Sequence, residues 1–191
     1  MTKIALEQGA TIDKYIGDAM MVFFGDPESK GEREDARACV EMALRMQERM
    51  EELREKWLNE GFADPFQIRI GLNTGYCNVG NFGSDQRLTY TIIGSEVNVA
   101  QRLETSAESG GILMSYETYA HAQDLIEVEQ LESISMKGVN REIKVFSVLN
   151  ELRERNTKSL ASQKLKTVPE RIGDRLDALE TKIEEILDLI K

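Results

Sequence analysis

One carboxylate stands where a metal ligand would be well placed. Asp18 follows Gly17 between two runs that predict β-strands, residues 11–16 and 19–24. A two-residue connection with glycine first is typical of a type II′ hairpin turn, which is rigid and open to solvent. Lys14 lies nearby on the first run. The pattern fits a metal site at a hairpin tip, and it fits equally an aspartate that merely suits a turn.

A second pair of polar side chains lies on a predicted helix of residues 95–107, with Ser95 as its N-cap. Asn98 and Arg102 are four residues apart, so they project side by side. An amide beside a guanidinium forms an array of donors that suits phosphate oxygens, although a solvated helix face with a surface arginine is the plainer alternative. The buried stripe of this helix is predicted on another face, at Val97, Ala100, Leu103 and Ala107.

Two further features are ambiguous. The stretch TGYCNVGNFGS has glycine spacings like those of phosphate loops, but no Gly-Lys-Ser/Thr follows, so Gly75, Gly80 and Gly83 are assigned to tight turns and close backbone approach. Lys137 and Gly138 end a predicted strand of residues 126–136. They form either a hairpin turn or an ammonium group at the rim of a pocket.

Composition excludes several classes of function. The 191 residues carry a net charge of −10 and no basic tract, which argues against nucleic acid as a partner. No apolar run approaches the roughly 20 residues that span a bilayer. His121 is the single histidine, which argues against a histidine-based zinc site and against a Ser-His-Asp triad. Cys39 and Cys77 have no partners at metal-ligand spacing and suggest a reducing compartment, which is the cytoplasm or the cytoplasmic side of a longer membrane or sensor protein.

The candidate residues depend on the elements that position them. In the first strand Ile12, Lys14 and Ile16 alternate with the polar side, which includes Asp13, as in a half-buried strand. The second run, AMMVFF, is apolar throughout and predicts a strand covered on both faces. A long amphipathic helix is predicted over residues 34–60, with an apolar stripe at Ala36, Val40, Ala43, Met46, Met50, Leu53 and Trp57.

The domain organisation follows from periodicity. Residues 1–150 read as one domain, with further strands over residues 66–73, 89–93, 111–115 and 143–149 and a short helix over 116–123. Residues 151–169 are polar, lack periodicity and predict a linker. Residues 170–191 predict an amphipathic helix with a coiled-coil seam at Ile172, Leu176, Leu179, Ile183, Ile186 and Ile190.

Four motifs in this order, TIDKYIGDAMMVFFGDP, RIGLNTGYCNVGNFG, TIIGSEVNVAQRLE and MKG, resemble the class III nucleotide cyclase catalytic domain. The resemblance covers roughly residues 2–149 and is strongest to the bacterial adenylyl cyclases. It implies an α+β fold with a ferredoxin-like sheet, similar to a polymerase palm. It also implies conversion of ATP to cyclic AMP and pyrophosphate with two Mg²⁺ or Mn²⁺ ions per site.

The resemblance assigns roles to single positions. Lys14 and Thr91 match the pair that reads adenine, and Lys137 matches a lysine that contacts the terminal phosphates. Asn98 and Arg102 match the pair that orients the ribose and stabilises the transition state. Asp18 matches the second of two metal-binding aspartates. In this family the sites lie at a dimer interface, so the implied partner is a second copy or another cyclase domain.

One departure from the family is expected to matter. Family members begin with a strand that carries the first metal aspartate, in a motif like F-x-D-I-x-G-F-T, and nothing of that kind precedes Thr11. We therefore expect a cyclase fold without its first strand, inactive by itself. The alternative function is a non-catalytic cyclase-like module that dimerises and regulates a complete partner.

Overall fold

The computed structural model describes residues 1–136, 139 and 141–151. Lys137, the predicted C-terminal helix and all of the predicted linker except Glu151 lie outside the described residues. The helices are α1 Thr2–Glu7, α2 Glu32–Asn59, α3 Ser95–Ser106 and α4 Tyr116–Ala122. The strands are β1 Thr11–Ile16, β2 Ala19–Phe23, β3 Ile70–Leu72, β4 Asn78–Ser84, β5 Arg87–Ile93, β6 Ile112–Ser115, β7 Ile126–Gln130 and β8 Val145–Glu151.

The predicted α+β class is confirmed, with the described strands distributed over three sheets. The largest has the order β3-β6-β8-β7, in which β3 and β6 run parallel and the other neighbours antiparallel. Hairpins β1-β2 and β4-β5 form two separate sheets. No helix in the described part of the chain is long and apolar enough to cross a membrane.

Helices cover both faces of the four-stranded sheet. Ile112 and Met114 of β6 belong to an apolar cluster with Val40 of α2, whereas Leu113 packs with Val99 of α3 on the other face. Successive strand residues point to opposite faces, so this alternation is what a sheet buried on both sides requires. Helix α3 is therefore fixed by one face of the sheet.

The long helix is confirmed with slightly different ends. Its buried residues are Ala36, Val40, Met42, Ala43, Met46 and Met50. Leu53 and Trp57, at the predicted end of the stripe, are only partly buried. The methionine-rich stripe is core, as the sequence indicated.

The first hairpin turns at Gly17-Asp18 as predicted. Gly17 has φ 66°, and no described non-glycine residue has a positive φ, so only the first turn residue is left-handed, as in a type II′ turn. The prediction that the second strand is covered on both faces is wrong. β2 pairs with β1 alone among the described strands and buries only Phe23 fully, because one side of the hairpin packs on α1 and α2.

Several boundaries differ from the prediction. The glycine-rich stretch is not only turns, because β4 runs through it and carries Gly80 in its interior. The strand predicted over residues 66–73 is reduced to β3. The strand predicted over residues 126–136 ends at Gln130, and Ile134 forms only an isolated bridge to Ile143. A pattern of alternating apolar residues predicts too long a strand where no neighbouring strand pairs with part of the segment.

Candidate active site

Lys14 and Thr91, predicted as a pair from the resemblance, lie side by side in the structure. The Lys14 ammonium donates a hydrogen bond to Thr91 Oγ1 at 3.0 Å. The two residues are 77 positions apart in the chain and are brought together because β1 contacts β5. Thr91 is 7% exposed, whereas the Lys14 side chain is 42% exposed. The pair therefore presents a cation to solvent beside a nearly buried hydroxyl.

Asp13 completes this cluster. The Thr91 hydroxyl donates to Asp13 Oδ2 at 2.7 Å, and the backbone N–H of Ile92 points to the same oxygen at 3.4 Å. The other oxygen, Oδ1, lies 3.5 Å from the Lys14 ammonium. The Asp13 side chain is 0% exposed. A fully buried carboxylate is costly unless it is paired, so the contacts with Lys14 and Thr91 are required by its burial.

A β-bulge explains how the adjacent residues Asp13 and Lys14 can both contact Thr91. The pairing register between β1 and β2 shifts between Ile12 and Lys14, which leaves Asp13 as the extra residue. An extra residue interrupts the strict alternation of side chains and re-aims one of them. The predicted alternation of this strand is therefore wrong at Asp13, which lies inside the molecule with Lys14 beside it, while Ile16 is exposed.

Asn98 and Arg102 lie on the exposed side of α3, as predicted. Neither side chain forms a hydrogen bond or an ion pair with any other residue that the structure describes. The opposite side of the helix is held by Val99 and Leu103, which are 0% and 1% exposed. The buried stripe thus includes Val99 in place of the predicted Val97. The donors of Asn98 and Arg102 remain available to a ligand.

The start of α3 is held by polar contacts that the sequence did not indicate. The Asn73 amide donates to the backbone oxygen of Glu96 at 3.0 Å and to its carboxylate at 2.8 Å. Arg141 bridges the carboxylates of Glu96 and Glu117. Gly94, rather than the predicted Ser95, is the N-cap, with no side-chain cap. These contacts hold the first turn of α3 in place, although no side chain caps its first N–H groups.

A close backbone contact fixes the middle of α3. A Cβ atom on Gly71 of β3 would overlap the backbone of Ala100 and Glu104. A Cβ atom on Gly75, which follows the same strand, would lie 2.6 Å from Cγ of the Glu96 side chain. The close-approach role predicted for Gly75 is confirmed, and Gly71 adds a second such position.

Asp18 occupies the exposed tip of the first hairpin. Within the described ranges, no three His, Cys, Asp or Glu side chains are grouped so that they could hold a metal ion. Lys137 lies outside the described residues, between Met136 and Val139, whose backbone groups are joined by a hydrogen bond of 3.2 Å. The structure therefore brings Lys14 and Thr91 into contact and holds Asn98 and Arg102 on the exposed side of α3. It does not group Asp18 with other metal-ligating side chains among the described residues.

Sequence reasoning missed Asp13 and the Asn73–Glu96–Arg141 network. Aspartate is depleted in β-strands, so a charged pair Asp13-Lys14 inside a predicted strand was a usable signal. The network offered no such signal, because its members come from distant parts of the chain and are polar residues of ordinary type.

Comparisons with known proteins identify the family of this chain. The family model described as the adenylate and guanylate cyclase catalytic domain matches residues 4–150. The crystal structure of the adenylyl cyclase CyaB from P. aeruginosa is 49% identical with a TM-score of 0.73, over 78% of this chain and 76% of that one. The guanylyl cyclase Cya2 is 31% identical with a TM-score of 0.70, over 78% of this chain and 75% of that one.

Curated relatives are longer proteins. Adenylate cyclase 1 of Rhizobium meliloti (strain 1021) is 29% identical over 158 residues, which are 82% of this chain and 23% of the relative. Adenylate cyclase of Anabaena cylindrica is 28% identical over 156 residues, which are 78% of this chain and 30% of the relative. The chain thus spans less than a third of the length of these relatives. The chain belongs to the adenylate and guanylate cyclase catalytic domain family.

Proposed function

We propose that this chain is a catalytic domain of an adenylate cyclase, which converts ATP to 3′,5′-cyclic AMP and pyrophosphate. The observation that carries the choice of ATP is the contact between Lys14 and Thr91 in a chain of this family. The adenylyl cyclase CyaB, with 49% identity, supports the same substrate.

The base is read by complementary hydrogen bonds. Adenine presents an acceptor at N1 and a donor at its 6-amino group, whereas guanine presents a donor at N1 and an acceptor at O6. Lys14 has donors only and suits adenine N1, and Thr91 can accept from the amino group. Guanine would place donor against donor at Lys14, so the pair favours ATP.

Cyclisation joins the ribose 3′-oxygen to the α-phosphorus and breaks the bond to the β-phosphate oxygen. Asn98 orients the ribose, and Arg102 donates to the oxygens on which negative charge increases at phosphorus. With respect to the described part of the chain, both have unpaired donors on one exposed side of α3. A donor aimed at developing charge typically contributes about 10²–10³ in rate. We assign Lys137 to the terminal phosphates from the family motif alone.

The residues of this chain fit the implied metal ions only in part. Class III cyclases use two divalent ions, Mg²⁺ or Mn²⁺. Asp18 is one carboxylate at an exposed tip, and the part of the chain that the structure describes contains no group of three metal-ligating side chains. Mg²⁺ requires nearly octahedral oxygen ligation and is usually held by one or two carboxylates together with substrate phosphates, so one exposed carboxylate supplies only part of the protein ligands that two ions need. These residues alone do not make a two-metal site, and we propose that 1–191 by itself is inactive.

A related cyclase domain that carries both metal aspartates would place the ligands that this chain lacks opposite its Lys14 and Arg102 side. The β4-β5 hairpin exposes Val79, Leu88, Tyr90 and Ile93, and β1 exposes Tyr15 and Ile16. A two-stranded arm with this much exposed apolar area is typical of an interaction surface. We propose that a second cyclase domain covers it, either another copy or a relative. Lys14, Thr91, Asn98, Arg102 and Lys137 are then the set that one subunit contributes to the shared site.

Complementation tests the proposal. The chain is mixed with a full-length adenylate cyclase of this family whose own Asn and Arg at the positions matching Asn98 and Arg102 are replaced by alanine. We expect cyclic AMP from the mixture and none from either protein alone, and Arg102→Ala in this chain should abolish the gain. A confirmed heterodimer that stays silent would contradict the proposal.

Base selectivity is tested in the same mixture. Lys14→Glu combined with Thr91→Cys in this chain should reduce the preference for ATP over GTP. If the unchanged mixture makes cyclic GMP as fast as cyclic AMP, the assignment of ATP is wrong.

A second function is favoured because Asp18 is the one carboxylate matched to a metal role among the residues that the structure describes. A non-catalytic cyclase-like module would dimerise and alter a complete partner without lending residues to catalysis. In that case, the chain would change the activity of an intact relative, and Arg102→Ala would leave this effect unchanged. Dependence on Arg102 therefore separates the two functions.

A further inference from the structure

The Thr91 hydroxyl has a restricted set of free hydrogen-bonding positions. A hydroxyl offers one donor and two acceptor lone pairs. Its proton is directed to Asp13 Oδ2 at 2.7 Å, and one lone pair receives the Lys14 ammonium at 3.0 Å. One lone pair remains. As long as Asp13 accepts the proton, Thr91 can offer a base only an acceptor.

Asp13 is held in the orientation that this role needs. Its Oδ2 also faces the backbone N–H of Ile92 at 3.4 Å, which keeps an acceptor oxygen directed at β5. Its side chain is 0% exposed, so water does not compete for the Thr91 proton. The bulge between Ile12 and Lys14 supplies the extra residue that lets Asp13 point inward.

We propose that Asp13 is a positioning residue that sets base specificity, because it fixes the direction of the Thr91 hydrogen bond so that adenine is accepted and guanine is disfavoured. This inference rests on the proposed function. The 6-amino group of adenine meets the remaining lone pair of Thr91, whereas O6 of guanine meets the same lone pair and finds no proton. Without Asp13 the hydroxyl can turn and donate, and the discrimination against O6 is lost.

A plain structural role for Asp13 predicts a different result. If Asp13 served only as a buried counter-ion for Lys14, then any neutral replacement would have the same effect. The asparagine variant separates the two roles. Its amide oxygen can take the place of Oδ2, because the Ile92 N–H favours an acceptor there, and the Thr91 proton keeps its direction while the negative charge is lost.

The test measures dissociation constants of ATP and GTP for the full 191-residue chain by competition with a fluorescent adenine nucleotide. The wild type should prefer ATP. Asp13→Ala should lower the ratio of the two constants about tenfold, the size expected when one hydrogen bond to a base is no longer selective. Asp13→Asn should keep the ratio within about twofold, even if both nucleotides bind more weakly. Asp124→Ala, which removes a carboxylate paired with Arg37 instead, should leave the ratio unchanged.

A double variant tests whether Asp13 acts through the Thr91 hydroxyl. In a Thr91→Val background, Asp13→Ala should produce no further loss of selectivity, because the hydroxyl through which it acts is absent. If circular dichroism shows that Asp13→Ala does not fold, then Asp13→Ser takes its place, since its shorter side chain cannot reach the same position. A wild type without preference for ATP would overturn the proposed function and this inference together. A wild-type preference that survives Asp13→Ala, or that Asp13→Asn reduces as much as Asp13→Ala does, would overturn this inference alone.

Discussion

Replacing Gly71 by alanine should displace the helix that carries the proposed catalytic residues. Gly71 lies in β3, and α3 packs directly on it. A Cβ at this position would overlap the amide nitrogen and Cα of Glu104 and the carbonyl oxygen of Ala100, which are all backbone atoms. Backbone atoms cannot rotate away as a side-chain tip can, so the whole helix must move.

The size of the effect follows from the type of contact. Inserting a methyl group into a well-packed region costs about 1–3 kcal/mol. The Gly71 backbone is not left-handed, so alanine adds no conformational strain there. Alanine also reduces the conformational freedom of the unfolded chain, which stabilises the folded state by about 0.4–1 kcal/mol. The difference is about 0–2.6 kcal/mol, and we expect a net loss of about 2 kcal/mol or slightly more, in the upper part of this range, because the contact is with backbone. For a domain of this size, each 1 kcal/mol lowers the melting temperature by about 2–4 °C.

Gly80→Ala provides the matched control. Gly80 also lies within a strand, and the nearest atom to its added Cβ is a ring carbon of Phe82 at 3.9 Å. This variant should be neutral or slightly stabilised. Urea denaturation gives the free energies of unfolding, and the complementation assay reports whether α3 has moved. If Gly71→Ala is as stable as Gly80→Ala and retains full complementation, the packing argument is refuted.

Three further outcomes are expected. Arg102→Ala in the complementation mixture should reduce cyclic AMP formation about 10²–10³-fold, and Arg102→Lys should recover only part of it, because an ammonium lacks the planar donor array. Leu179→Asp with Ile183→Asp should weaken self-association in sedimentation, and an unchanged dimer constant would count against the coiled coil. Burial raises the pKa of Cys39 to about 12, so its thiolate is scarce below that pH. In folded protein at pH 8, iodoacetamide should label Cys77 before Cys39, and labelling of Cys39 should accelerate as the pH rises; equal rates at pH 8 would contradict this.

The sequence by itself determined the elements whose signals are local. The turn at Gly17-Asp18 needs only a glycine with positive φ, and the buried stripe of the long helix needs only spacings of three and four residues. The placement of Asn98 and Arg102 on one exposed side of α3 follows from helical geometry in the same way. The order of the four motifs was sufficient to identify the family, because it does not depend on contacts.

Tertiary structure decided the features that depend on residues distant in the chain. The contact between Lys14 and Thr91 spans 77 positions, and the burial of Asp13 depends on a bulge that no periodic pattern encodes. The strand β4 was missed because its glycines suggest turns, and only its pairing with β5 makes an extended conformation favourable. A local pattern gives the conformation that a segment prefers in isolation. Its partners provide the burial and the hydrogen bonds that decide which side chains come into contact, and the cluster of Lys14, Thr91 and Asp13 consists of such contacts.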